Sequence, residues 1–229
     1  MRHEGFVLPG IEALQRGFEG AQDPERAVAM ARYMRDQFAF YGIPAPLQRS
    51  IARTALRALP TPTEVELAEF ARACWQRPQR EWQYVACDTV GAHVRTCSPA
   101  FLTMVEEMIT TRSWWDTVDT LAGHAVGPLV AMHTGLAAEM DRWVLSDNFW
   151  LARAALLHQL GYRERTDSAR LFRYCEARAA DREFFIRKAV GWALRQYART
   201  DPDRVRAFVE ERDAELSGLS KREALRHLA

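Results

Sequence analysis

Residues 181–200, "DREFFIRKAVGWALRQYART", hold the clearest periodicity in the chain. Ile186, Ala189, Val190, Ala193 and Tyr197 recur at i, i+3, i+4, i+7 and i+11, the spacing of one helix face and not the alternation of a strand. Lys188, Trp192, Arg195 and Arg199 fall on the other side. Gly191 interrupts the middle, at a cost of roughly 1 kcal/mol against alanine, and close approach of another backbone would give it a reason. Asp201-Pro202 follows, a capping oxygen and a first-turn proline that open the next helix.

Outward from this stretch the same grammar repeats. Helices are expected over 10–20, 23–37, 44–59, 62–77, 79–91, 98–111, 113–124, 126–144, 146–160, 166–179, 182–199, 201–214 and 219–228, separated by short Pro, Gly, Ser or Asp turns. Thr61-Pro62-Thr63-Glu64, Ser113 with Asp116 at N3, and Ser217 through Ser220 before Glu223 supply further helix starts. No alternating strand pattern competes. The fold class is therefore all-α, and helices of this length on short turns must lie antiparallel. About six such hairpins in series read as a solenoid of HEAT type, a single repeat domain over 1–229, with residues 1–20 assigned only loosely.

Composition sets outer limits. The chain has 229 residues, 48% hydrophobic and 27% charged, which suits a globular protein with a sizeable core. It has no secretory apolar region at its start and no apolar run of membrane-spanning length, so a cytoplasmic location is expected. Cys74, Cys87, Cys97 and Cys175 form no CxxC pair, and free thiols in a reducing compartment are expected. The net charge of +1 hides an asymmetry: residues 101–150 carry two arginines against seven carboxylates, and residues 151–200 carry eleven cations against five. A basic C-terminal half suggests a polyanionic partner.

Two other helices carry a second face. In "SWWDTVD" (Ser113 to Asp119), Trp114, Val118, Leu121 and Ala125 form a buried stripe, and Trp115 and Asp119 lie one turn apart on an adjacent face beside Ala122. That face is either a core rim with a solvated carboxylate or one wall of a cleft. In "SDNFWLARAALLHQL", Arg153 projects into an apolar arc between Leu157 and Leu160, where a guanidinium is costly unless paired or opened onto a cavity. A structural ion pair, orientation of Asp119 and a phosphate grip all remain open. The Lys188, Trp192, Arg195 and Arg199 side offers charge for phosphate and an aromatic face for sugar or base, or else a tryptophan shielded by arginine stems.

Competing chemistries lack their parts. His3, His93, His124, His133, His158 and His227 show no HExxH spacing, so no metal is expected. A glycine-rich phosphate loop is likewise missing from the sequence. A protein-binding scaffold is the rival class for a helical solenoid, but it has no need to assemble a Trp115/Asp119 pair and a Trp/Lys/Arg face.

Those residues carry a resemblance. "YMRDQFAFYGI" (Tyr33 to Ile43), "REWQYVACD" (Arg80 to Asp88), "SWWDTVD", "NFWLARAALL" (Asn148 to Leu157) and "EFFIRKAVGWALRQYARTDPDRV" (Glu183 to Val205) resemble, in the same order, the AlkD-type DNA alkylation repair enzymes. The resemblance implies a HEAT-like superhelix with a concave basic face. It implies a base-excision glycosylase that removes N3- and N7-alkylated purines, such as 3-methyladenine and 7-methylguanine, from duplex DNA without flipping the base. By motif, Trp115, Asp119, Trp192 and Arg153 would form the catalytic cleft, Tyr33 would lie near the lesion, and Lys188, Arg195 and Arg199 would meet DNA. The expected partner is alkylated double-stranded DNA, met by a monomer with no cofactor and no membrane. The family also contains members that bind DNA structures without excision, which is the alternative.

Overall fold

The computed structural model describes residues 5–226 and Leu228. His3 and His227 lie outside the described residues, and the expected 219–228 helix ends at Ala224, with Leu225 as its C-cap. Within them the helical periodicity becomes α1 (Val7–Glu19), α2 (Pro24–Tyr33), α3 (Ala45–Leu56), α4 (Glu64–Trp75), α5 (Arg80–His93), α6 (Leu102–Thr110), α7 (Trp115–Leu121), α8 (Gly127–Met132), α9 (Ala137–Val144), α10 (Phe149–Leu157), α11 (Ser168–Ala177), α12 (Phe184–Tyr197), α13 (Pro202–Glu211) and α14 (Gly218–Ala224). The β pairing found among the described residues is one isolated bridge between Ala39 and Gln79. No described helix is long and apolar enough to cross a membrane.

Several helix starts follow from their caps. Thr63 and Glu66 close a reciprocal capping box, Asp201 accepts from the Arg204 amide, and Ser217 accepts from the Ser220 amide. Ser113 behaves differently from the expectation. Its hydroxyl turns back to the Ile109 carbonyl at 2.6 Å, satisfying an orphan acceptor at the end of α6, so Trp114 becomes the extended N-cap residue (φ −158°, ψ 160°) and Trp115 opens α7.

Other boundaries differ for local reasons. The 23–37 helix stops at Tyr33, and Arg35 and Asp36 turn the chain with φ of 55° and 57°. Beyond that turn the amides of Tyr41, Gly42 and Ile43 all donate to the carboxylate of Glu81, which is fully buried. The 126–144 helix divides into α8 and α9 around a tight 3-10 turn at Thr134–Leu136. Between α7 and α8, Ala122–Val126 widens into a π turn, a feature that locally frees backbone groups.

The described residues fall into two compact units, divided between Met104 and Val105. In the first, α1, α3, α4 and α5 pack on one another around Phe18, Phe70 and Trp82, with Phe18 edge-on to Trp82 at 5.1 Å. In the second, α7, α10, α12 and α14 are successive neighbours in one row, and α9, α11 and α13 form the row behind them. This is the layered arrangement of HEAT-like hairpins.

Polar ties hold the back row. Asp141 accepts from Arg173 and from the Tyr174 hydroxyl, both at 2.7 Å, and Arg178 Nε reaches the Val144 carbonyl at 2.6 Å. Two glycines set the front row. A Cβ on Gly127 would lie 2.4 Å from the His158 carbonyl oxygen, so the C-terminal end of α10 sits directly against the start of α8. The Tyr162 hydroxyl closes that contact by donating to the Gly127 carbonyl at 2.7 Å. A Cβ on Gly191 would lie 2.5 Å from Glu223 Cβ and 2.8 Å from the Ser220 carbonyl oxygen, which accounts for a glycine in the middle of α12.

Gly191→Ala tests that contact. Alanine gains up to about 1 kcal/mol in helix propensity, but a backbone carbonyl cannot give way cheaply, and overpacking costs about 1–3 kcal/mol. The expected outcome is a net loss, read as a thermal midpoint lower by roughly 2–6 °C in a chain of this size. A midpoint that rises would show that α14 does not press on α12.

Candidate active site

The row α7, α10, α12, α14 presents an open cleft of about 340 Å³ lined by Trp115, Asp119, Arg153, Phe184, Phe185, Lys188, Trp192, Arg195 and Glu223. Six of the residues singled out in the sequence meet there: Trp115, Asp119, Arg153, Lys188, Trp192 and Arg195. Each arrives from a different constraint. Trp115 and Asp119 lie one turn apart on α7, whose opposite side buries Val118 and Leu121. Trp192 lies one turn beyond Lys188 on α12, opposite the buried Ile186, Ala189, Val190 and Ala193.

Arg153 decides the electrostatics. It is only 4% exposed, on a helix that is buried on every side. Its Nε and Nη2 donate to Asp119 Oδ1 and Oδ2 at 2.7 and 2.8 Å, and its Nη1 donates to the Phe185 carbonyl. The fork is thus engaged by one carboxylate and one backbone oxygen, which fits orientation of Asp119 rather than a phosphate grip. Burial pushes the Asp119 carboxyl above the ordinary carboxylate value, and the hydrogen bonds and charge of Arg153 pull it back. Because both oxygens accept from nitrogen donors, the geometry is that of the ionised carboxylate.

Beneath the cleft an aromatic cluster fixes the three helices. Trp114 stands 6.0 Å from Trp150 and 5.4 Å from Phe185, and Trp150 stands 4.9 Å from Phe185, ring centre to ring centre. The neighbouring tryptophans of "SWWDTVD" therefore separate: Trp114 enters this cluster from the N-cap position, and Trp115 faces the cleft.

Three side chains in the cleft, Phe184, Phe185 and Glu223, were not singled out as site residues from the sequence. Phe184 is 46% exposed at the cleft wall, and the first of two adjacent phenylalanines at a helix start was the available signal. Glu223 accepts from Lys188 Nζ at 2.9 Å and from Arg195 Nη1 at 2.7 Å. The hydrogen bond from Lys188 leads the effects that hold its carboxyl below the usual carboxylate range. No sequence spacing could have shown this contact, because α14 is brought to α12 by packing at Gly191.

The remaining expected residues lie elsewhere. Arg199 is exposed beyond the end of α12 and outside the cleft lining. Tyr33 belongs to the first unit, where it is 72% exposed and borders an apolar pocket with Met30, Met34, Phe40 and Tyr84. The first unit also carries Arg49, Arg53 and Arg57 along one face of α3, beside a groove of about 550 Å³. Their i, i+4, i+8 spacing was readable in the sequence but was not used.

Comparison with known proteins places the chain in a family. The family model described as "DNA alkylation repair enzyme" matches residues 14–228. A solved structure from Enterococcus faecalis, described as a predicted DNA alkylation repair enzyme, is 34% identical, with 91% of this chain and 97% of that chain covered and a TM-score of 0.84. The crystal structure of AlkD2 from Streptococcus mutans shares the fold at 17% identity and a TM-score of 0.62, over 76% of this chain and 87% of that one. The comparison with curated proteins returned no match. A family match over nearly the whole chain, and a relative at 34% identity aligned over 91% of it, establish that the chain belongs to the DNA alkylation repair enzyme family.

Proposed function

We propose that the protein is a monofunctional alkylpurine DNA glycosylase that hydrolyses the N-glycosidic bond of cationic N3- and N7-alkylated purines in duplex DNA. The observation that carries this reading is the forked hydrogen bond from Arg153 to both oxygens of Asp119, in a cleft that Trp115 and Trp192 also line. An alkylated purine of this class is already positively charged, so its departure needs no general acid. What remains is to stabilise an oxocarbenium-like sugar and to place a water. Asp119 serves both ends: its negative charge faces the developing cation, and its remaining lone pairs orient the water. The faces of Trp115 and Trp192 add cation–π stabilisation of about 0.5–2 kcal/mol each.

The cleft composition supports work on the sugar and backbone rather than on an extruded base. A base-reading pocket needs amide and backbone groups aimed at a Watson–Crick edge, whereas these walls offer aromatic rings, one carboxylate pair with arginine, and cations suited to phosphate. The arginine face of α3 in the first unit adds a second surface suited to a phosphate backbone.

Base release from a 7-methylguanine duplex tests the assignment directly. Asp119→Asn is expected to lower release by about 100- to 1000-fold, the scale of losing one transition-state charge stabiliser, with duplex affinity little changed. Wild-type protein that binds the duplex but frees no base would overturn the glycosylase and leave the non-catalytic DNA-binding alternative.

The pH profile tests the state of Asp119. Activity needs the ionised carboxylate, and burial raises its pKa, so activity is expected to fall on acidification at a pH above that of an ordinary aspartate. Arg153→Lys loses the fork, weakens the counter-charge and should move that acid limb to still higher pH. An acid limb unmoved by the substitution would separate Arg153 from the ionisation of Asp119.

Trp115→Ala and Trp192→Ala are each expected to reduce the single-turnover rate by about 2- to 30-fold, the range that follows from one lost cation–π contact. Rates unchanged in both would place the sugar elsewhere.

A further inference from the structure

Lys188 and Arg195 are seven residues apart on α12, so their backbones are separated by about 10 Å along the helix axis. Their charged ends nevertheless converge on one carboxylate, at 2.9 and 2.7 Å from the two oxygens of Glu223. Two cations drawn together on one helix face repel each other and would otherwise splay along the axis into solvent. Glu223 offsets that repulsion from the neighbouring helix.

Which side of the cations the carboxylate occupies is set by the packing. The Glu223 side chain is 15% exposed, against 38% for Lys188 and 22% for Arg195, so the anion is the more enclosed partner and the cations are the more accessible ones. Each cation spends one donor on Glu223, which leaves the ammonium two and the guanidinium four. The position of Glu223 is itself fixed. The missing side chain at Gly191 lets α14 approach, and the Ser220 hydroxyl donates to the Arg187 carbonyl at 3.0 Å.

We propose that Glu223 is a positioning residue that braces Lys188 and Arg195 from behind, so that their spare donors converge on a DNA phosphate flanking the nucleotide whose sugar meets Asp119. The proposal rests on the DNA-directed reading above. It opposes the simple electrostatic expectation, in which a carboxylate at a DNA-binding rim repels the polyanion and its removal tightens binding. A carboxylate that merely occupied the phosphate place until DNA arrived would also give tighter binding when neutralised.

The sign of the Glu223→Gln effect on duplex affinity decides between these. The full-length protein is titrated with a fluorescent duplex, undamaged and containing 7-methylguanine, across a range of salt. The brace predicts weaker binding, by about 3- to 10-fold, and a shallower dependence of affinity on salt, because fewer phosphate contacts release counterions. Single-turnover base release at saturating protein is read alongside, and a loss smaller than the loss of affinity is expected, since the Asp119–Arg153 contact is untouched. The same substitution in a Lys188→Ala/Arg195→Ala background should leave affinity unchanged, which excludes a loss that acts through folding.

Glu223→Gln that binds as well as or better than wild type would overturn the brace. So would an equal loss in the background that lacks both cations. Wild-type protein that binds neither duplex would instead overturn the DNA-directed reading itself.

Discussion

The forked contact between Arg153 and Asp119 ties three helices of the second unit to one charge arrangement. The guanidinium comes from α10, the carboxylate from α7, and the third donor reaches the Phe185 carbonyl of α12. Two charges taken out of water are expensive, and loss of either partner alone leaves the other uncompensated, at about 3–5 kcal/mol. The pair is therefore poor as a simple stabiliser. Its use lies in orientation: the carboxylate cannot rotate without breaking two hydrogen bonds. The Trp114, Trp150 and Phe185 cluster packs these three helices together below the pair, and the Gly127 contact with His158 holds α8 to the end of α10.

Periodicity made the helices legible because each buries one apolar stripe, and α12 and α10 were read from that alone. Two of the boundaries that failed are those at which a polar group chose another partner. Ser113 serves the carbonyl of Ile109 instead of opening the next helix, and three amides after α2 turn toward Glu81, about 40 residues further along the sequence. Trp115 and Asp119 were visible as a second face of one helix. That the face was a cleft wall depended on which helices stood opposite, and a single helical wheel contains no such information. Glu223 was read only as part of a helix start, because its meaning arises from a contact across 28 to 35 residues.

The basic half of the chain needs a finer reading than its net charge suggests. Six of the eleven cations in residues 151–200 are engaged within the second unit: Arg153 with Asp119, Arg170 and Arg173 with Asp141, Arg178 with Asp181, and Lys188 and Arg195 with Glu223. Several of these tie the back row of helices together and do not face the cleft. Charge counted along a sequence overstates the field at a surface when carboxylates are folded in among the cations. Lys188 and Arg195 share a carboxylate that is more enclosed than either of them and line the cleft itself, so they remain presented at the rim.

These electrostatics also bear on what the proposed reaction can accept. A neutral purine leaves only if a proton is delivered to the base as the bond breaks. Both carboxyl groups in the cleft are engaged by cations: Asp119 accepts from Arg153 at both oxygens, and Glu223 lies below the usual carboxylate range between two cations. A cleft built in this way can stabilise a sugar cation but cannot activate a leaving group. Under the proposed reaction only a base that already carries positive charge would depart at a useful rate, and undamaged purines would be spared by their own chemistry.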